Sequence, residues 1–347
     1  MSINEFFLEA VNLKASDVHL AVNMPIFFRI NGSLQRSEKW PALNNNDILS
    51  LISEIISEKQ KDNLLKNKYL EFSHQIENKI RFRISVFYEK DNLAFAARLI
   101  WPEIPTVEEI NLPPGGIKLA EMKSGLVLIT GPTGCGKSTT LAAIIDYINK
   151  KRECHIITLE DPIEFIFQGK KSLIAQRELG KDMSSFDLAL KHIVRQDPDV
   201  ILVSEMRDLE TISLAITLAE TGHLVLATVH TPSAPQTIDR IIDIFPYNQQ
   251  KQIRLQVALA LRGVISQHLL PKIGGGRIAV REILINTPAV ANLIRENKIA
   301  QIKSVMQTSS KEGMQTLEKE LKQLYQNKLI TLENALAFAN YPQEILN

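Results

Sequence analysis

Leu126-Val127-Leu128-Ile129-Thr130-Gly131-Pro132-Thr133-Gly134-Cys135-Gly136-Lys137-Ser138-Thr139-Thr140 joins an unbroken apolar run to a glycine-rich turn, and a helical pattern then continues to Lys151. Residues 131–138 fit G-x-x-x-x-G-K-[ST], the pattern of a loop whose backbone amides surround phosphate oxygens. Gly131, Gly134 and Gly136 let the chain turn with its amides inward, and the helix that follows aims its positive end at the same anion. The Lys137 amine would reach the β- and γ-phosphates and the Ser138 hydroxyl would ligate Mg2+, with Pro132, Thr133, Cys135 and Thr139 completing the cradle. A chance glycine-rich turn lacks the strand before and the helix after, so the context selects a phosphate loop.

Outward from this loop the alternation of short apolar runs with helical patterns repeats. Residues 156–159 precede a helical 186–195, 200–203 precede 209–219, and 224–229 precede 234–244. Such βα units predict a parallel sheet covered by helices on both sides, a nucleotide-binding architecture. Runs at 265–273 and 277–285 flank Gly274-Gly275-Gly276 as a hairpin, and residues 288–338 have helical spacing broken at Gly313.

A triphosphate site needs an acid near the metal. Asp199-Val200-Ile201-Leu202-Val203-Ser204-Glu205 is an apolar strand ending in a carboxylate, suited to hold Mg2+ through its water shell. Glu160-Asp161-Pro162-Ile163-Glu164 follows the strand at 156–159, at a carboxyl end of the kind where open α/β folds collect reactive groups. A water nucleophile needs one acceptor there, and spacing alone leaves open which carboxylate serves. His223 and His230 bracket the strand at 224–229, where an imidazole can hydrogen-bond a phosphate or a carboxylate. Cys135 is either a small substitute for serine or a thiol whose pKa is depressed by Lys137 and the helix terminus, which would make activity sensitive to oxidation.

Residues 1–100 read as a separate α/β module: an opening helix, an extended stretch at 17–30, a turn at Asn31-Gly32, a helix at 47–65 and a strand pair. Alternation over 79–87 places Ile80, Phe82, Ile84 and Val86 on one face and exposes Arg81 and Arg83 together on the other. Pro102, Pro105, Pro113, Pro114, Gly115 and Gly116 mark 101–116 as a stiff linker ending in a hinge. Two domains suit 347 residues, since single cores stop growing near ~250–300 residues.

Composition excludes several classes. With 45% hydrophobic and 23% charged residues the chain is not disordered, and 40 basic against 39 acidic residues give it no field that would draw nucleic acid or anionic lipid. The N-terminus lacks the basic and apolar segments of a signal peptide, and no apolar run approaches the ~18–20 residues of a membrane span. We therefore expect a cytoplasmic protein with no direct membrane insertion. Cys135 and Cys154 alone cannot build a four-thiolate zinc site or a disulfide framework.

Four stretches, GPTGCGKSTT at 131–140, TLEDPIEF at 158–165, DPDVILVSEMRDLETI at 197–212 and ETGHLVLATVHT at 220–231, resemble in order the Walker A, Asp box, Walker B and His box of the type IV pilus and type II secretion ATPases. The likeness extends through ASDVHL at 15–20, RFR at 81–83, IGGGR at 273–277, NTPAVANLIRENK at 286–298 and GMQTL at 313–317. Within that superfamily the chain resembles the retraction ATPases, because it starts at the ASDVHL module and cannot assemble the zinc module of the longer extension and secretion enzymes. The resemblance implies an N-terminal PAS-like α/β domain over 1–100, a hinge linker over 101–116, a RecA-like P-loop NTPase domain over 117–285 and C-terminal helices over 286–347. It also implies ATP and Mg2+ bound at Lys137 and Ser138, Glu205 as the Walker B acid, Glu164 as base, and His223 and His230 as the His-box pair. Arg81, Arg83 and Arg98 match basic positions that the family turns toward nucleotide across a subunit interface. Implied partners are five further copies in a homohexamer, an inner-membrane pilus platform protein and a paralogous retraction ATPase, at the cytoplasmic face of the inner membrane.

The chain departs from the family at Cys135, usually serine, at Ser204, usually glycine, and at Ala289-Val290-Ala291-Asn292-Leu293-Ile294, which lacks an arginine of the segment associated with retraction. Such changes leave room for an assembly or secretion ATPase, or for an accessory subunit of a partner motor.

Overall fold

The computed structural model describes residues 2–30, 32–76, 80–100 and 103–346. They divide into two units, residues 1–103 together with 162–166, and residues 104–161 together with 167–347. Asn31 of the expected turn, Lys79 of the alternating strand, and Trp101 and Pro102 of the expected linker lie outside the described residues.

In the N-terminal unit, α1 (Ile3–Asn12) opens with a capping box in which Ser2 and Glu5 each satisfy an amide of the first turn. Ile3, Phe6, Phe7 and Ala10 recur at helical spacing and are buried. The strands β1 (Asp17–Leu20), β2 (Phe27–Ile30) and β3 (Ser33–Arg36) precede α2 (Asn45–Ser53) and α3 (Glu58–Asn67), and β4 (Tyr69–Gln75), β5 (Arg81–Glu89) and β6 (Asn92–Ile100) follow. They form one antiparallel sheet in the order β3-β2-β1-β6-β5-β4. Phe82, Ile84 and Val86 are buried as the alternation predicts, and Phe82 stacks on Phe7 at 4.1 Å between ring centroids. The single helix expected at 47–65 is two, because Ser57 starts a new one through its own capping box with Gln60.

Arg81 does not share an exposed face with Arg83. It is 8% exposed and donates to Ser73 Oγ at 2.5 Å. The expected strand pair is three strands, and the added β4 brings the hydroxyl that receives this guanidinium.

The second unit begins with α4 (Pro114–Ala120) and runs through β7 (Gly125–Thr130), α5 (Lys137–Lys151), β8 (His155–Glu160), β9 (Leu173–Glu178), α6 (Phe186–Ile193), β10 (Val200–Val203), α7 (Leu209–Glu220), β11 (Leu224–Val229), α8 (Ala234–Asp243), α9 (Tyr247–Ala260), β12 (Leu261–Pro271) and β13 (Arg277–Ile285). Helices α10 (Pro288–Arg295), α11 (Ile302–Thr308), α12 (Leu317–Gln326), α13 (Leu332–Phe338) and α14 (Gln343–Leu346) complete it. Its sheet runs β13-β12-β7-β11-β10-β8-β9, parallel except for the β12–β13 hairpin. Every residue of β7, β10 and β11 is buried, as strands covered on both faces must be. The fold is thus the expected α/β sheet domain followed by a P-loop sheet domain with C-terminal helices.

The sequence patterns did not anticipate β9 or α9. They expected a hinge at Gly115 and Gly116. Both are buried within α4, and a Cβ on Gly115 would lie 2.1 Å from the Gly313 carbonyl oxygen, so the glycine admits a close backbone approach. Among the described residues, no helix is long and apolar enough to cross a membrane.

Candidate functional site

Parallel pairing brings four strand ends level: Thr130 lies beside Val229, Ala227 beside Val203, and Val203 beside Leu159. The residues just past these ends, at 131–138, 230, 205 and 160, therefore gather at the carboxyl ends of the strands, the usual position of sites in open α/β sheets. Buried hydroxyls fix these ends. Thr130 Oγ1 donates to the Thr231 carbonyl at 2.5 Å, and Thr228 donates to the Ser204 carbonyl next to Glu205.

Within the loop, Gly131 adopts φ +140° and passes so close to β12 that a Cβ would lie 2.2 Å from the Gln267 carbonyl oxygen. Gly136, at φ +90°, turns the chain into α5. Lys137 is buried, and its Nζ donates to the carbonyls of Gly131 at 2.7 Å and Pro132 at 3.1 Å. Burial lowers its pKa, partly offset by the charges of Cys135 and Glu205. Pro132, Thr133, Gly134 and Ser138 are exposed, and Thr139 is half-buried.

His230 joins the loop to the acid. Its Nδ1 is 3.4 Å from Lys137 Nζ, and its Nε2 is 3.2 Å from Glu205 Oε1. With the ammonium donating to Nδ1, the ring proton sits on Nε2 and points at the carboxylate. Arg207 donates to the other oxygen of Glu205 at 2.7 Å. Burial pushes the Glu205 carboxyl up, but Arg207, His230 and Lys137 outweigh it and hold the group below the ordinary glutamate value. A cation, an imidazole and an ionised acid are thus joined contact to contact beside the loop.

Other sequence-selected residues stand elsewhere. His223 precedes β11, about 20 Å of strand from His230. Its Nδ1 lies 2.9 Å from the Leu218 carbonyl, so the imidazole closes the end of α7, and the structure does not bring it to the loop. The acidic run at 160–164 is split. Glu160 is buried and accepts from Thr158 at 2.6 Å and Gln176 at 3.0 Å, whereas Glu164 belongs to the N-terminal unit and pairs with Arg83 at 3.6 Å. In that unit Arg98, with a side chain 72% exposed, donates to Asp17 at 2.9 Å.

Cys135 differs from the activated thiol that its neighbours suggested. At 3% exposure, burial raises its pKa, and the nearby Lys137 offsets this only in part. The sequence reading also missed Gln267, whose amide reaches the loop from β12; it is the middle of three polar residues, Ser266-Gln267-His268, that interrupt the apolar pattern of 264–270.

Among the described residues, no cluster of three or more His, Cys, Asp or Glu side chains could cage a metal. A hydroxyl at Ser138 and a carboxylate at Glu205 are hard oxygen donors, and they suit Mg2+, which keeps several waters and takes substrate phosphates as ligands.

The sequence profile of the family described as "Type II/IV secretion system protein" matches residues 1–275. The chain is 44% identical over 343 residues to the "Type IV pilus retractation ATPase PilT" of Pseudomonas aeruginosa, covering 99% of each. It is 47% identical over 308 residues to the "Twitching motility protein" of Neisseria gonorrhoeae, covering 88% of this chain and 82% of that one. Among solved structures, the pilus retraction motor PilT with bound ADP superimposes with a TM-score of 0.92 at 47% identity, over 99% of this chain and 98% of the other.

Proposed function

The chain belongs to the type II/IV secretion system protein family, and on that premise we propose that it is the ATP-hydrolysing motor that retracts a type IV pilus. The bridge from Lys137 through His230 to Glu205 carries the reading, because it sets a phosphate-binding cation beside a metal-holding acid at the carboxyl ends of adjacent strands.

ATP lies on residues 131–139, with Lys137 at the β- and γ-phosphates and His230 able to exchange its Glu205 or Lys137 contact for a phosphate oxygen. Ser138 and Glu205 are the residues that would hold Mg2+. When bound, Mg2+ neutralises charge that develops on the phosphate oxygens. Glu164 accepts the proton of the attacking water. Arg98 and Arg83 approach the γ-phosphate as neighbouring copies close on one another, an arrangement worth up to ~10³–10⁵ in rate in other NTPases. Arg81, turned inward onto Ser73, holds β4 to β5 instead.

The working form is a homohexamer at the cytoplasmic face of the inner membrane, pushing against a pilus platform protein. The arginine missing from residues 289–294 favours, as a second reading, an accessory ATPase that works with a paralogous motor. Deletion separates the two: loss of retraction supports the motor, and retraction that persists but weakens under load supports the accessory role.

Steady-state turnover and solution mass of the purified chain test the enzyme reading. We expect a hexamer whose activity disappears in Lys137→Ala and Glu164→Ala. A chain that stays monomeric and inert with Mg-ATP would overturn it.

A further inference from the structure

We propose that Gln267 is a positioning residue for the phosphate loop, its amide clamping the Cys135 carbonyl so that the next amide faces the nucleotide. The inference rests on the nucleotide-site reading above and assigns a role to a residue outside the four motif stretches.

Gln267 is 1% exposed on β12. Its Nε2 donates to the Cys135 carbonyl at 2.5 Å, and its Oε1 accepts from Thr140 Oγ1 of α5 at 2.8 Å and from Arg281 Nε at 2.8 Å. The partners dictate which way the amide points. A guanidinium can only donate, so Oε1 must face Arg281, and a backbone carbonyl can only accept, so Nε2 must face Cys135. In a planar trans peptide the carbonyl and the following N–H point in opposite directions. Holding the Cys135 carbonyl toward β12 therefore turns the Gly136 N–H away from β12, to the side where a loop of this pattern binds phosphate.

Backbone contacts reinforce the clamp. The Gln267 carbonyl blocks a side chain at Gly131, and its Nε2 lies 3.0 Å from where a Cβ on Gly136 would stand. Gln267 and Arg281 are direct partners across the β12–β13 hairpin. Arg281 is fixed in turn: Nη1 donates to the carbonyls of Ile110 at 2.9 Å and Asn111 at 3.1 Å, and its backbone N–H donates to the Glu320 carboxylate of α12. A glutamine whose three partners are all spoken for, one of them a buried and anchored arginine, cannot rotate to follow the loop, so the loop must follow it.

Gln267→Glu tests the clamp, since a carboxylate keeps both acceptor contacts and its charge pairs with Arg281, but it cannot donate to Cys135. In the full-length protein we expect affinity for a fluorescent ADP analogue to fall ~10-fold or more and KM for ATP to rise with it, with kcat within ~3-fold, the loss of one buried hydrogen bond to the loop. The melting temperature should stay within ~3 °C of the parent. Gln267→Met, neutral and of similar volume, should lose the same affinity, while Thr140→Val, which removes an acceptor contact only, should bind within ~3-fold of the parent. Parent-like ADP affinity in folded Gln267→Glu or Gln267→Met would overturn the proposal. Should Lys137→Ala also bind and turn over nucleotide normally, the nucleotide-site reading itself would fall.

Discussion

His230 Nε2 meets Glu205 Oε1 at 3.2 Å, joining residues that follow neighbouring parallel strands. Since the same ring contacts Lys137, replacing it uncouples the loop from the acid without emptying the loop of its amides. We expect His230→Phe to lower kcat ~10–100-fold while ADP affinity changes less than ~3-fold, the pattern of an interaction that matters more in the transition state than in the ground state. Phosphate-release kinetics and analogue titration on the same preparation read the two quantities.

Cys135 gives the opposite expectation from a reactive thiol. With burial raising its pKa, little thiolate forms at neutral pH, so alkylation by iodoacetamide should be slower than for an exposed cysteine. Cys135→Ser should retain turnover within ~2-fold and show unchanged sensitivity to peroxide. A parent enzyme that loses activity in peroxide while the serine variant does not would contradict this.

Gly115→Ala reverses the ordinary sign of a glycine-to-alanine change in a helix, which favours alanine by ~1 kcal/mol. Its Cβ would lie 2.1 Å from the Gly313 carbonyl oxygen, so backbone must move. A loss of about 2–4 kcal/mol is expected, visible as a lower denaturant midpoint.

Burial pushes the carboxyls of Glu282 and Glu320 up to about 7, from an ordinary 4.5. The Ala234 amide and Lys303 oppose the shift at Glu282 while Glu318 adds to it, and Arg281 opposes it at Glu320. A group that binds its proton more tightly in the folded chain stabilises it fully below the ordinary value and loses that contribution as pH rises through about 7. Each group thus removes on the order of 1–3 kcal/mol between about pH 5 and pH 8. Glu320→Gln should flatten this decline, which thermal unfolding across the range measures.

Much of the fold lay open in the sequence where a strand is almost wholly apolar: residues 200–203 and 224–229 were read with the bounds that β10 and β11 have. Strand β9 was not, because Leu173-Ile174-Ala175-Gln176-Arg177-Glu178 stands at the sheet edge and carries half its length in polar residues. The helix α9 was hidden by Asn248-Gln249-Gln250-Lys251-Gln252, which has no apolar periodicity to mark it. Lys137 was legible from the glycine-rich motif after a readable strand, and Glu205 and His230 because each stands within two residues of the end of one. Gln267 was not, since its closeness to the loop depends on β12 pairing with β7, a relation between distant stretches that no local pattern records. The choice between the two readings of Cys135 was not legible for a similar reason, as its neighbours in sequence were visible and its burial was not.

The position of β7 between β11 and β12 has a consequence for the chain as it emerges from the ribosome. Cys135 and Gln267 are 132 residues apart, and at typical synthesis rates of ~5–20 residues per second roughly 7–26 s separate them. Through that interval the β12 side of β7 stays bare, its other side too until β11 is made, and the phosphate loop has no clamp, so the nascent chain offers a chaperone an unpaired strand before it offers ATP a finished site. Translation stalled short of β12 would leave a polypeptide with every phosphate-binding residue already made, yet with nothing to set the loop.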